Sequence, residues 1–468
     1  MNENLLAGFT PLSTEKWIEL LNKELKGKDY KDSLIWHTRE GFSLEPFYNT
    51  SSEAGSPGVY PYRRTRNTQS QQWEIDQEIQ ISAMPEEANK SALKALDSGA
   101  SSITFCGTIS SKNEMKSLLK DIGIQFIEVR FRGMNNPTEV YQWYAELFEQ
   151  TGADSQAMRG AVENDPISQG LLNGGFGEYH AHSVTKLAKE RKANQGRFRT
   201  VTINASIYHN AGATTVQELA FALAHGHEYL NALVNAGLTI DDAASHIEFR
   251  FASSVDFYFS LAKNRAFREL WANVIKAYQP KHSCSHNAFI IGETSGLFQS
   301  HQDPYSNLLR FTTEAFAGIA GGCDAFSIAA FDGTNSDFST RMGRNIQLLL
   351  REESHLDKIV DPAGGSFFVE ELTQQLIQFA WEKFRSIEKD GGILNYIVTG
   401  KLVEECSFSA EQLRSDFRSK KIRMIGVNVY PDPQKKKADL TSKIPASLKE
   451  FKALECFRIS ETEIPASV

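Results

Sequence analysis

The sequence is poor in cysteine and contains no long hydrophobic run. Its five cysteines among 468 residues are widely scattered and show no Cys-x-x-Cys spacing, which argues against a disulfide framework and against a thiolate metal site. No apolar stretch reaches the ~18–20 residues that cross a bilayer, and the first residues lack the basic flank and apolar core of a signal peptide. We therefore expect a cytoplasmic protein with reduced cysteines and no membrane partner.

A basic excess is also missing. The sequence holds 50 Lys and Arg residues against 58 Asp and Glu residues, so the formal net charge is −8. This balance gives no general attraction to a phosphate backbone, and we expect no nucleic-acid partner. The apolar fraction of 41% and the charged fraction of 23% are those of an ordinary globular protein. The length predicts two or three domains, or one large barrel with extra segments at its ends.

Common catalytic and metal-binding strings are absent as well. There is no Gly-x-x-x-x-Gly-Lys-Ser/Thr loop, no Gly-x-Gly-x-x-Gly after a strand, no His-Glu-x-x-His and no EF-hand loop. His282, Cys284 and His286 lie close together, but no second cluster completes a tetrahedral set of ligands. His225 and His227 are two residues apart on a predicted helix and so point to different faces. We predict no metal site and interpret these histidines as solvated or locally bonded.

What the sequence does contain is an alternation of short β-branched or aromatic runs with longer helix-periodic stretches, from Trp73 to about Pro362. This alternation is typical of repeated βα units around a parallel sheet. The eight predicted strands are Trp73–Ile79, Ser101–Phe105, Gln125–Phe131, Thr200–Ser206, His246–Ala252, Ala288–Gly292, Asp324–Ala330 and Lys358–Val360. The predicted fold is therefore α/β, a (β/α)8 TIM barrel with an N-terminal arm and a short C-terminal extension.

Helix signals support this prediction. Thr214 and Gln217 have the spacing of a capping box, and Asp303 is expected to cap a helix that begins at Pro304. The helices predicted between the strands are Pro85–Ser98, Asn113–Asp121, Pro137–Gln150, Thr214–Ala236, Phe257–Ala277, Tyr305–Gly318 and Phe338–His355.

Three segments do not follow this alternation of predicted strands and helices. Residues 1–60 are predicted to form an arm that contains an amphipathic stretch, Ser13–Leu25. The barrel is assigned to residues 61–365, and residues 366–468 are predicted to form a C-terminal helix followed by a tail. Between Gln150 and Thr200 lie about fifty glycine-rich residues, far more than the ~2–6 of an ordinary βα loop. Such an excursion serves a site or an interface, or is a tolerated insertion, and both interpretations stay open.

A basic run precedes the first predicted strand. Arg63, Arg64 and Arg66 follow Pro61-Tyr62, and guanidinium groups pair bidentately with phosphate oxygens. These arginines could grip the phosphates of a nucleotide-like tail. A solvated or subunit-facing basic patch explains them equally well.

Several long strings follow one another in a distinctive order. They are Ala-Gly-Ala-Thr-Thr-Val-Gln-Glu-Leu-Ala (211–220), Leu-Ala-Lys-Asn-Arg-Ala (261–266), Gln-Asp-Pro-Tyr-Ser-Asn (302–307), Asp-Phe-Ser-Thr-Arg (337–341), Asp-Pro-Ala-Gly-Gly-Ser (361–366) and Ile-Gly-Val-Asn-Val-Tyr (425–430). In order and spacing, the chain from Pro61 to about Tyr430 resembles the adenosylcobalamin-dependent methylmalonyl-CoA mutases.

The resemblance implies a barrel that encloses an acyl-CoA thioester along its axis. In that family a flavodoxin-like domain follows the barrel and binds cobalamin through an Asp-x-His-x-x-Gly motif. This sequence has no such motif and ends about 40 residues after Tyr430, too few for a doubly wound domain of ~100 residues. We therefore expect no complete cobalamin-binding domain and no cofactor held by this chain. A naturally short chain and one cut after the barrel both stay open.

The family's thioester-binding position is changed. The histidine that hydrogen-bonds the thioester carbonyl in catalytic members falls on Ile207, which can neither donate a hydrogen bond nor act as an acid. Tyr208-His209 would restore a Tyr-His pair only after a shift of two residues, ~6.6 Å along a strand. A bulged strand end would allow that shift, so the alternative stays open.

Other site positions of the family are changed too. In catalytic members a Gln-Asn-Asp string is followed eight residues later by the arginine that pairs with the substrate carboxylate. Here the string is Glu163-Asn164-Asp165 and the arginine falls on Asn173. The charge of Glu163 would repel an anionic substrate. The tyrosine that contacts the corrin falls on Thr68, and an arginine near it falls on Gln71. Because Ile207 and its neighbours would fill space that a substrate needs, we predict a barrel narrower than a catalytic one.

Lost site positions on an intact scaffold are typical of the family's small subunit. The resemblance therefore implies a pseudo-enzyme with no catalytic residue, paired with a large catalytic subunit that carries adenosylcobalamin and interconverts methylmalonyl-CoA and succinyl-CoA. One alternative is a divergent active acyl-CoA mutase barrel that works with a separate cobalamin-binding chain. In that case the substrate would be served by His209, Arg63, Arg64, Arg66 and Gln302. A regulatory barrel that meets the mutase transiently is a third reading, and self-association of the isolated chain stays open.

Overall fold

The computed structural model describes residues 13–49, 55–81, 84–176, 181–191, 197–432 and 451–462. Eight parallel strands form the central sheet. They are β1 Glu74–Gln80, β2 Ser102–Cys106, β3 Glu128–Arg132, β4 Gly160–Val162, β5 Phe198–Arg199 continued by Val201–Asn204, β6 Ile247–Ser253, β7 Ile290–Thr294 and β8 Ala325–Ser327.

The sheet closes on itself. β1 pairs with β2 on one side and with β8 on the other, where Ala325 lies opposite Glu74. The other strands pair in chain order, and β5 completes the ring because Phe198–Arg199 pairs with β4 while Val201–Asn204 pairs with β6. The nine hydrogen-bonded segments are therefore eight strands around one axis. The prediction of a (β/α)8 barrel is confirmed.

A β-bulge interrupts β5. The N–H groups of Thr200 and Val201 both donate to the carbonyl oxygen of His246, at 3.1 and 3.0 Å. Two residues of β5 thus oppose one residue of the neighbouring chain, which is the mark of a bulge and is uncommon between parallel strands. Arg199 before the bulge and Thr202 after it both reach the same carboxylate inside the barrel.

One predicted strand is wrong and one strand was missed. Lys358–Val360 is not a strand but part of a series of turns, in which the Lys358 N–H donates to His355 O. The β-branched residues of that run suggested a strand, whereas Gly-Ala-Val at β4 carries almost no strand signal. Gly160 is required in β4, because a Cβ there would lie 1.9 Å from the Val129 carbonyl oxygen of β3.

The fifty-residue excursion after Gln150 is a further repeat of the barrel and not an insertion. It contains β4 and the helices Pro166–Asn173 and Ala181–Glu190. Gly174 ends the first of these helices with a φ of 79°, the left-handed conformation that glycine adopts without strain. Two of the glycines that suggested a loop, Gly160 and Gly174, are thus required within a strand and at the end of a helix.

Helices surround the barrel and extend beyond it. The α-helices are Thr14–Glu24, Tyr30–Leu34, Pro85–Asp97, Lys112–Leu118, Pro137–Glu149, Pro166–Asn173, Ala181–Glu190, Ser206–Asn210, Thr215–Asn235, Ile240–Ser245, Phe257–Ala277, Pro304–Ala320, Asp337–Leu348, Phe367–Lys389, Gly392–Val398 and Lys401–Arg418. Short 3₁₀ turns lie at Ser155–Ala157, Ser283–His286 and Ile459–Glu461, and one π-helical turn lies at Leu349–Glu353. No helix in the described ranges is both long and apolar enough to cross a membrane.

The two predicted helix caps have different outcomes. Thr214 and Gln217 form the predicted capping box at the start of Thr215–Asn235. Asp303 precedes its helix as predicted, but its carboxylate makes no cap bond to the helix backbone. The Ser306 hydroxyl donates to that carboxylate instead, so a nearer side-chain donor replaces the backbone N–H groups.

The arm and the C-terminal helices share the core of the barrel. Phe42 and Leu44 of the arm, together with Leu376 of the helix Phe367–Lys389, belong to one continuous cluster of buried apolar side chains. An antiparallel hairpin, in which Trp36 lies opposite Leu44, holds the arm in shape. Burying these side chains stabilises the chain by about 25 cal/mol per Å2 of apolar surface removed from water.

A C-terminal strap, residues 451–461, crosses the face of the barrel at which the strands end. The Phe451 N–H donates to Gly174 O at 3.1 Å, near β4, and the Ile459 N–H donates to Leu297 O at 2.9 Å, near β7. Active sites of TIM barrels lie at this face. The strap therefore covers part of the surface on which a family site would be built.

Candidate functional site

The interior of the barrel near the strand carboxyl ends is filled by an ion-pair network. Arg132 donates to Glu78 at 2.7 Å and to Glu163 at 2.9 Å. Arg250 pairs with the other oxygen of Glu163 and lies 3.4 Å from Glu293. These side chains come from five different strands or strand ends and converge on the axis, because alternate residues of each strand point inwards.

Glu163 is ionised in this network, and its negative charge is compensated by neighbouring guanidinium groups. Burial acts to raise the pKa of its carboxyl, but the Arg132 and Arg250 guanidiniums outweigh burial and lower the pKa below its ordinary value. The carboxylate is therefore compensated by two cations. Repulsion of an anionic substrate, the effect expected from a glutamate at this position, is offset by those neighbours.

A second layer lies deeper in the barrel. Arg130 Nη1 lies 2.6 and 2.7 Å from the two carboxylate oxygens of Glu248, and its Nη2 donates to Glu128 at 2.6 Å. The Thr202 hydroxyl donates to Glu248 at 2.8 Å. On the opposite wall Asp76 accepts hydrogen bonds from two hydroxyl groups of β2. Each charge in this layer thus has a hydrogen-bonded partner, as buried charges require.

The deeper layer closes the barrel axis, whereas Arg132 and Glu78 of the first layer are 28% and 31% exposed. The side chain of Arg130 is 0% exposed and that of Arg250 is 1% exposed. A channel wide enough for the pantetheine arm of an acyl-CoA would leave both interior guanidiniums accessible to water. Charged residues, and not Ile207, occupy this part of the barrel interior.

Ile207 and His209 lie on a short helix, Ser206–Asn210, and not on the predicted extension of β5. Ile207 is buried in the apolar core. On a helix, positions two apart differ by about 200° in direction, so His209 does not replace Ile207 through a strand shift. The predicted strand geometry at this position is wrong, because β5 ends at Asn204.

His209 contacts residues other than those around Ile207. Its Nε2 lies 2.7 Å from Ser295 Oγ at the end of β7. Burial, followed by the positive charges of Lys263 and Arg39, holds the pKa of His209 well below its ordinary value. The imidazole is therefore neutral at physiological pH.

A buried polar cluster near the family's Asn-Asp string was not predicted. Asp165 lies 2.9 Å from His225 and accepts from the Tyr229 hydroxyl and the Asn204 N–H, both at 2.8 Å. The other ring nitrogen of His225 lies 3.0 Å from the Tyr208 hydroxyl. His225, interpreted from sequence as solvated or locally bonded, is fully buried. The sequence signal was Asp165 before Pro166, a cap position from which a carboxylate can reach inwards.

The remaining predicted site positions are scattered. Asn173 is the exposed last residue of its helix, and Thr68 is exposed in the segment before β1. Gln71 is buried, and its side-chain amide donates to Cys323 O at 3.2 Å. Gln302 donates to Ser460 O of the C-terminal strap at 3.5 Å. The described residues therefore do not bring the substituted family positions together into one pocket.

The three arginines of the basic run have different roles. Arg63 is buried and pairs with Glu269 at 2.7 Å, and Arg64 pairs with Asp361 at 2.6 Å. Both guanidiniums are thus engaged in ion pairs that hold the segment before β1 in place. Arg66 differs, because it is about one-third exposed, at 37%, and lies 3.0 Å from Asp324.

Arg66 borders a cavity of about 930 Å3 at the end of the barrel where the strands begin. Arg199 stacks over the Phe289 ring at 3.7 Å in this cavity. Burial lowers the pKa of Arg199 to about 10, against the opposing effect of Glu248. The cations that line the cavity are Arg66, Arg159, Arg197, Arg199, Arg351 and Lys358, and the carboxylates are Glu74, Glu128, Asp241, Asp324, Glu352 and Asp357.

Within the described ranges, no group of three or more His, Cys, Asp or Glu side chains is arranged to hold a metal ion. Cys284, between the two histidines noted in the sequence, is exposed on the 3₁₀ turn Ser283–His286. The five cysteines are free thiols in the structure.

Comparison with known proteins agrees with the sequence resemblance. A family model described as methylmalonyl-CoA mutase matches residues 105–461. The chain belongs to the methylmalonyl-CoA mutase family. Its relatives in this family include the methylmalonyl-CoA mutase small subunit of Porphyromonas gingivalis, 31% identical over 443 residues that cover 92% of this chain and 71% of the relative.

Two further mutase relatives show the range of the family. The methylmalonyl-CoA mutase small subunit of Streptomyces virginiae is 29% identical over 448 residues, covering 92% of this chain and 72% of the relative. The mitochondrial methylmalonyl-CoA mutase of Mus musculus is 31% identical over 470 residues, covering 92% of this chain and 62% of the relative. The sequence identity to the two small subunits is thus comparable to the identity to the mitochondrial mutase.

The strings shared with the mutase family stabilise the scaffold. Arg265 pairs with Asp361 and with Glu370, so it links the string 261–266 to the string 361–366 in one buried network. Lys263 donates to Glu218 at 2.6 Å and thereby joins the string 261–266 to the string 211–220. Removing one partner of such a buried pair costs about 3–5 kcal/mol.

Proposed function

We propose that this chain is the small, non-catalytic subunit of a heterodimeric, adenosylcobalamin-dependent methylmalonyl-CoA mutase. The large subunit would interconvert methylmalonyl-CoA and succinyl-CoA, and this chain would provide structure. The observation that carries the proposal is the closed barrel axis, where Arg130 and Glu248 occupy the space through which an acyl-CoA would pass. The relatives named as small subunits support the same assignment.

The residues present do not fit adenosylcobalamin. Thr68, at the position of the family's corrin-contacting tyrosine, is exposed, and Ile207, at the position of its thioester-binding histidine, is packed in the core. The C-terminal strap crosses the face on which the corrin would rest. We therefore assign the cofactor to the large subunit and derive no step through it in this chain.

The proposal includes the organisation of the molecule. We assign residues 1–60 to an arm, residues 61–365 to the barrel and residues 366–468 to a C-terminal helix and tail. The large catalytic subunit is the expected partner, and the cytoplasm is the expected location.

Expression of this chain with and without its large subunit tests the proposal. We expect stable one-to-one co-purification and mutase turnover only when the large subunit is present. Turnover of methylmalonyl-CoA by the purified chain supplied with adenosylcobalamin would overturn the assignment. A loose association with no fixed stoichiometry would favour the transient regulatory role.

A second candidate function is binding of an acyl-CoA by a divergent active barrel. It is favoured by the cavity of about 930 Å3 that Arg66 borders, since guanidinium groups there could pair with phosphates. Against it, His209 lies near the opposite end of the strands, and Arg63 and Arg64 are engaged elsewhere. Titration calorimetry with a CoA ester discriminates, because micromolar binding that is lost in Arg66→Ala supports this function and no binding supports the structural role.

A further inference from the structure

A second cavity, of about 530 Å3, lies beside the barrel near the strand carboxyl ends. Its walls come from arm residues 35–40, the helix Ser206–Asn210, residues 254–260 and the helix Lys401–Arg418. None of the residues in the two interior ion-pair layers lines it. Its volume falls within the ~300–1,000 Å3 of small-molecule sites.

The arm forms a fixed wall of this cavity. The Glu40 carboxylate accepts from the backbone N–H groups of Thr215 and Val216, at 3.0 and 2.7 Å, where the helix Thr215–Asn235 begins. Arg39 Nη2 donates to Ser409 O at 3.0 Å. A carboxylate at a helix N-terminus is stabilised by the helix dipole as well as by these hydrogen bonds. The arm is thus held on both sides of the cavity.

The cavity is largely apolar but contains one buried polar group with a free atom. Phe259, Phe298 and Leu413 contribute to its apolar walls. His209 also lines it and is only 7% exposed. The ring bonds Ser295 through Nε2, while Nδ1 has no hydrogen-bond partner among the residues that the structure describes. Unlike the buried side-chain atoms that lack a partner, Nδ1 remains accessible to solvent in the cavity, so a bound ligand can supply its hydrogen bond in place of water.

The surroundings of His209 indicate which ligand atom would fit. Ser295 Oγ accepts from the Phe298 N–H at 3.3 Å, so its own hydrogen is available to His209 Nε2. In that tautomer Nδ1 carries the hydrogen and donates into the cavity. The positive charges of Lys263 and Arg39, which act on the ring, also favour an electron-rich atom beside it.

We propose that this cavity binds a small molecule with an apolar body and one carbonyl or carboxylate oxygen, which accepts a hydrogen bond from His209 Nδ1. The site uses neither the barrel axis nor the cavity that Arg66 borders. It therefore goes beyond the proposed function, and either can fail without the other.

Titration calorimetry of the full chain with hexanamide and hexanoate tests the site. We expect saturable binding of at least one probe to the wild-type chain. His209→Asn keeps an amide donor near the place of Nδ1, whereas His209→Gln reaches towards Ser295 and leaves no donor at Nδ1. Affinity is expected to fall about fivefold or more in His209→Gln and to stay within about twofold in His209→Asn.

A third variant tests the cavity without altering His209. Val255 lines the cavity and is 39% exposed, so Val255→Trp fills the space with little risk to folding. We expect this variant to abolish binding while its thermal unfolding midpoint stays close to that of the wild type. Lys421 also lines the cavity. Tighter binding of hexanoate than of hexanamide, weakened by Lys421→Ala, would identify a carboxylate ligand, and equal binding would identify a neutral carbonyl.

The proposal is overturned by three results. These are the absence of saturable binding of both probes to the wild-type chain, unchanged binding by Val255→Trp, and equal affinities of His209→Asn, His209→Gln and the wild type. None of these results bears on mutase turnover in the presence of a large subunit.

Discussion

Nη1 of Arg130 lies 2.6 and 2.7 Å from the two carboxylate oxygens of Glu248 at the centre of the barrel, and neither side chain is exposed. A catalytic barrel of this family would enclose its substrate in that space. Two charges that cannot reach water depend on each other, because either one alone would be buried without compensation.

Arg130→Met is therefore expected to lower the free energy of unfolding by about 3–5 kcal/mol. Arg130→Met combined with Glu248→Met should cost less than Arg130→Met alone, since the double variant leaves fewer unpaired carboxylates. Urea unfolding followed by circular dichroism measures both values. As a control, Lys23→Met removes an ion pair whose side chains are 69% and 68% exposed, and we expect a change below about 0.5 kcal/mol. Additive single-variant effects for Arg130 and Glu248 would contradict the coupling.

Glu314 predicts a pH dependence of stability. Burial raises the pKa of its carboxyl to about 8, against the opposing Ser295 N–H and Arg310. The folded chain thus keeps Glu314 protonated where the unfolded chain would release the proton. Its contribution to stability is complete below the ordinary glutamate pKa and is lost as the pH rises towards 8, by about 1.4 kcal/mol per pH unit.

Glu314→Gln should remove this dependence, because the amide stays neutral and can still accept from the Ser295 N–H. The measurement is the unfolding midpoint from pH 5 to pH 9 in both proteins. A wild-type midpoint that falls with pH no more steeply than that of the variant would show that Glu314 does not titrate in this range.

Gly160 predicts a packing defect. In Gly160→Ala the new Cβ would meet the Val129 carbonyl oxygen at 1.9 Å, so β4 would have to move away from β3. We expect a loss of about 3 kcal/mol or more in the free energy of unfolding. The matched control is Gly152→Ala, which has a φ of +71° but no atom within 4 Å, and should cost about 1 kcal/mol from backbone strain alone. Equal losses in the two variants would show that β4 can shift freely.

Restoring the family residues is expected not to restore activity. A chain carrying Ile207→His, Glu163→Gln and Asn173→Arg would have the expected residue types, but Arg130 and Glu248 would still close the axis. Turnover of methylmalonyl-CoA with adenosylcobalamin should remain at background, with the large subunit as the positive control. Measurable turnover by this variant would show that the substitutions alone abolish catalysis.

The sequence predicted elements whose signals are local. Seven strands and the capping box of Thr214 and Gln217 follow from hydrophobic pattern and hydrogen-bonding side chains close in the chain. β4 was missed because its residues are small, and Lys358–Val360 was overpredicted because β-branched residues also occur in turns. Strand propensity depends on packing against neighbours, which a single sequence does not show.

In the candidate site, the sequence predicted only those properties that depend on the type of side chain and not on its surroundings. Ile207 cannot serve as an acid in any conformation, so that inference needed no structure. The positions of His209 and Arg63 depended on which partners the fold brings to them, Ser295 and Glu269, which lie 86 and 206 residues away in the chain. A long separation in the sequence likewise hid the contact between Asp165 and His225.

The bulge at Thr200 determines which side chains of β5 face the interior of the barrel. Side chains along a strand alternate between interior and exterior with a period of two, yet Arg199 and Thr202 are three apart and both meet Glu248 inside the barrel. A regular strand of the same residues, without the bulge, would turn Arg199 outwards, away from the Phe289 ring. Removal of Thr200 would instead leave Arg199 and Thr202 two positions apart and both inside the barrel. The charge of the cavity at the start of the strands is thus controlled by a single inserted backbone unit whose own side chain need not contact that cavity.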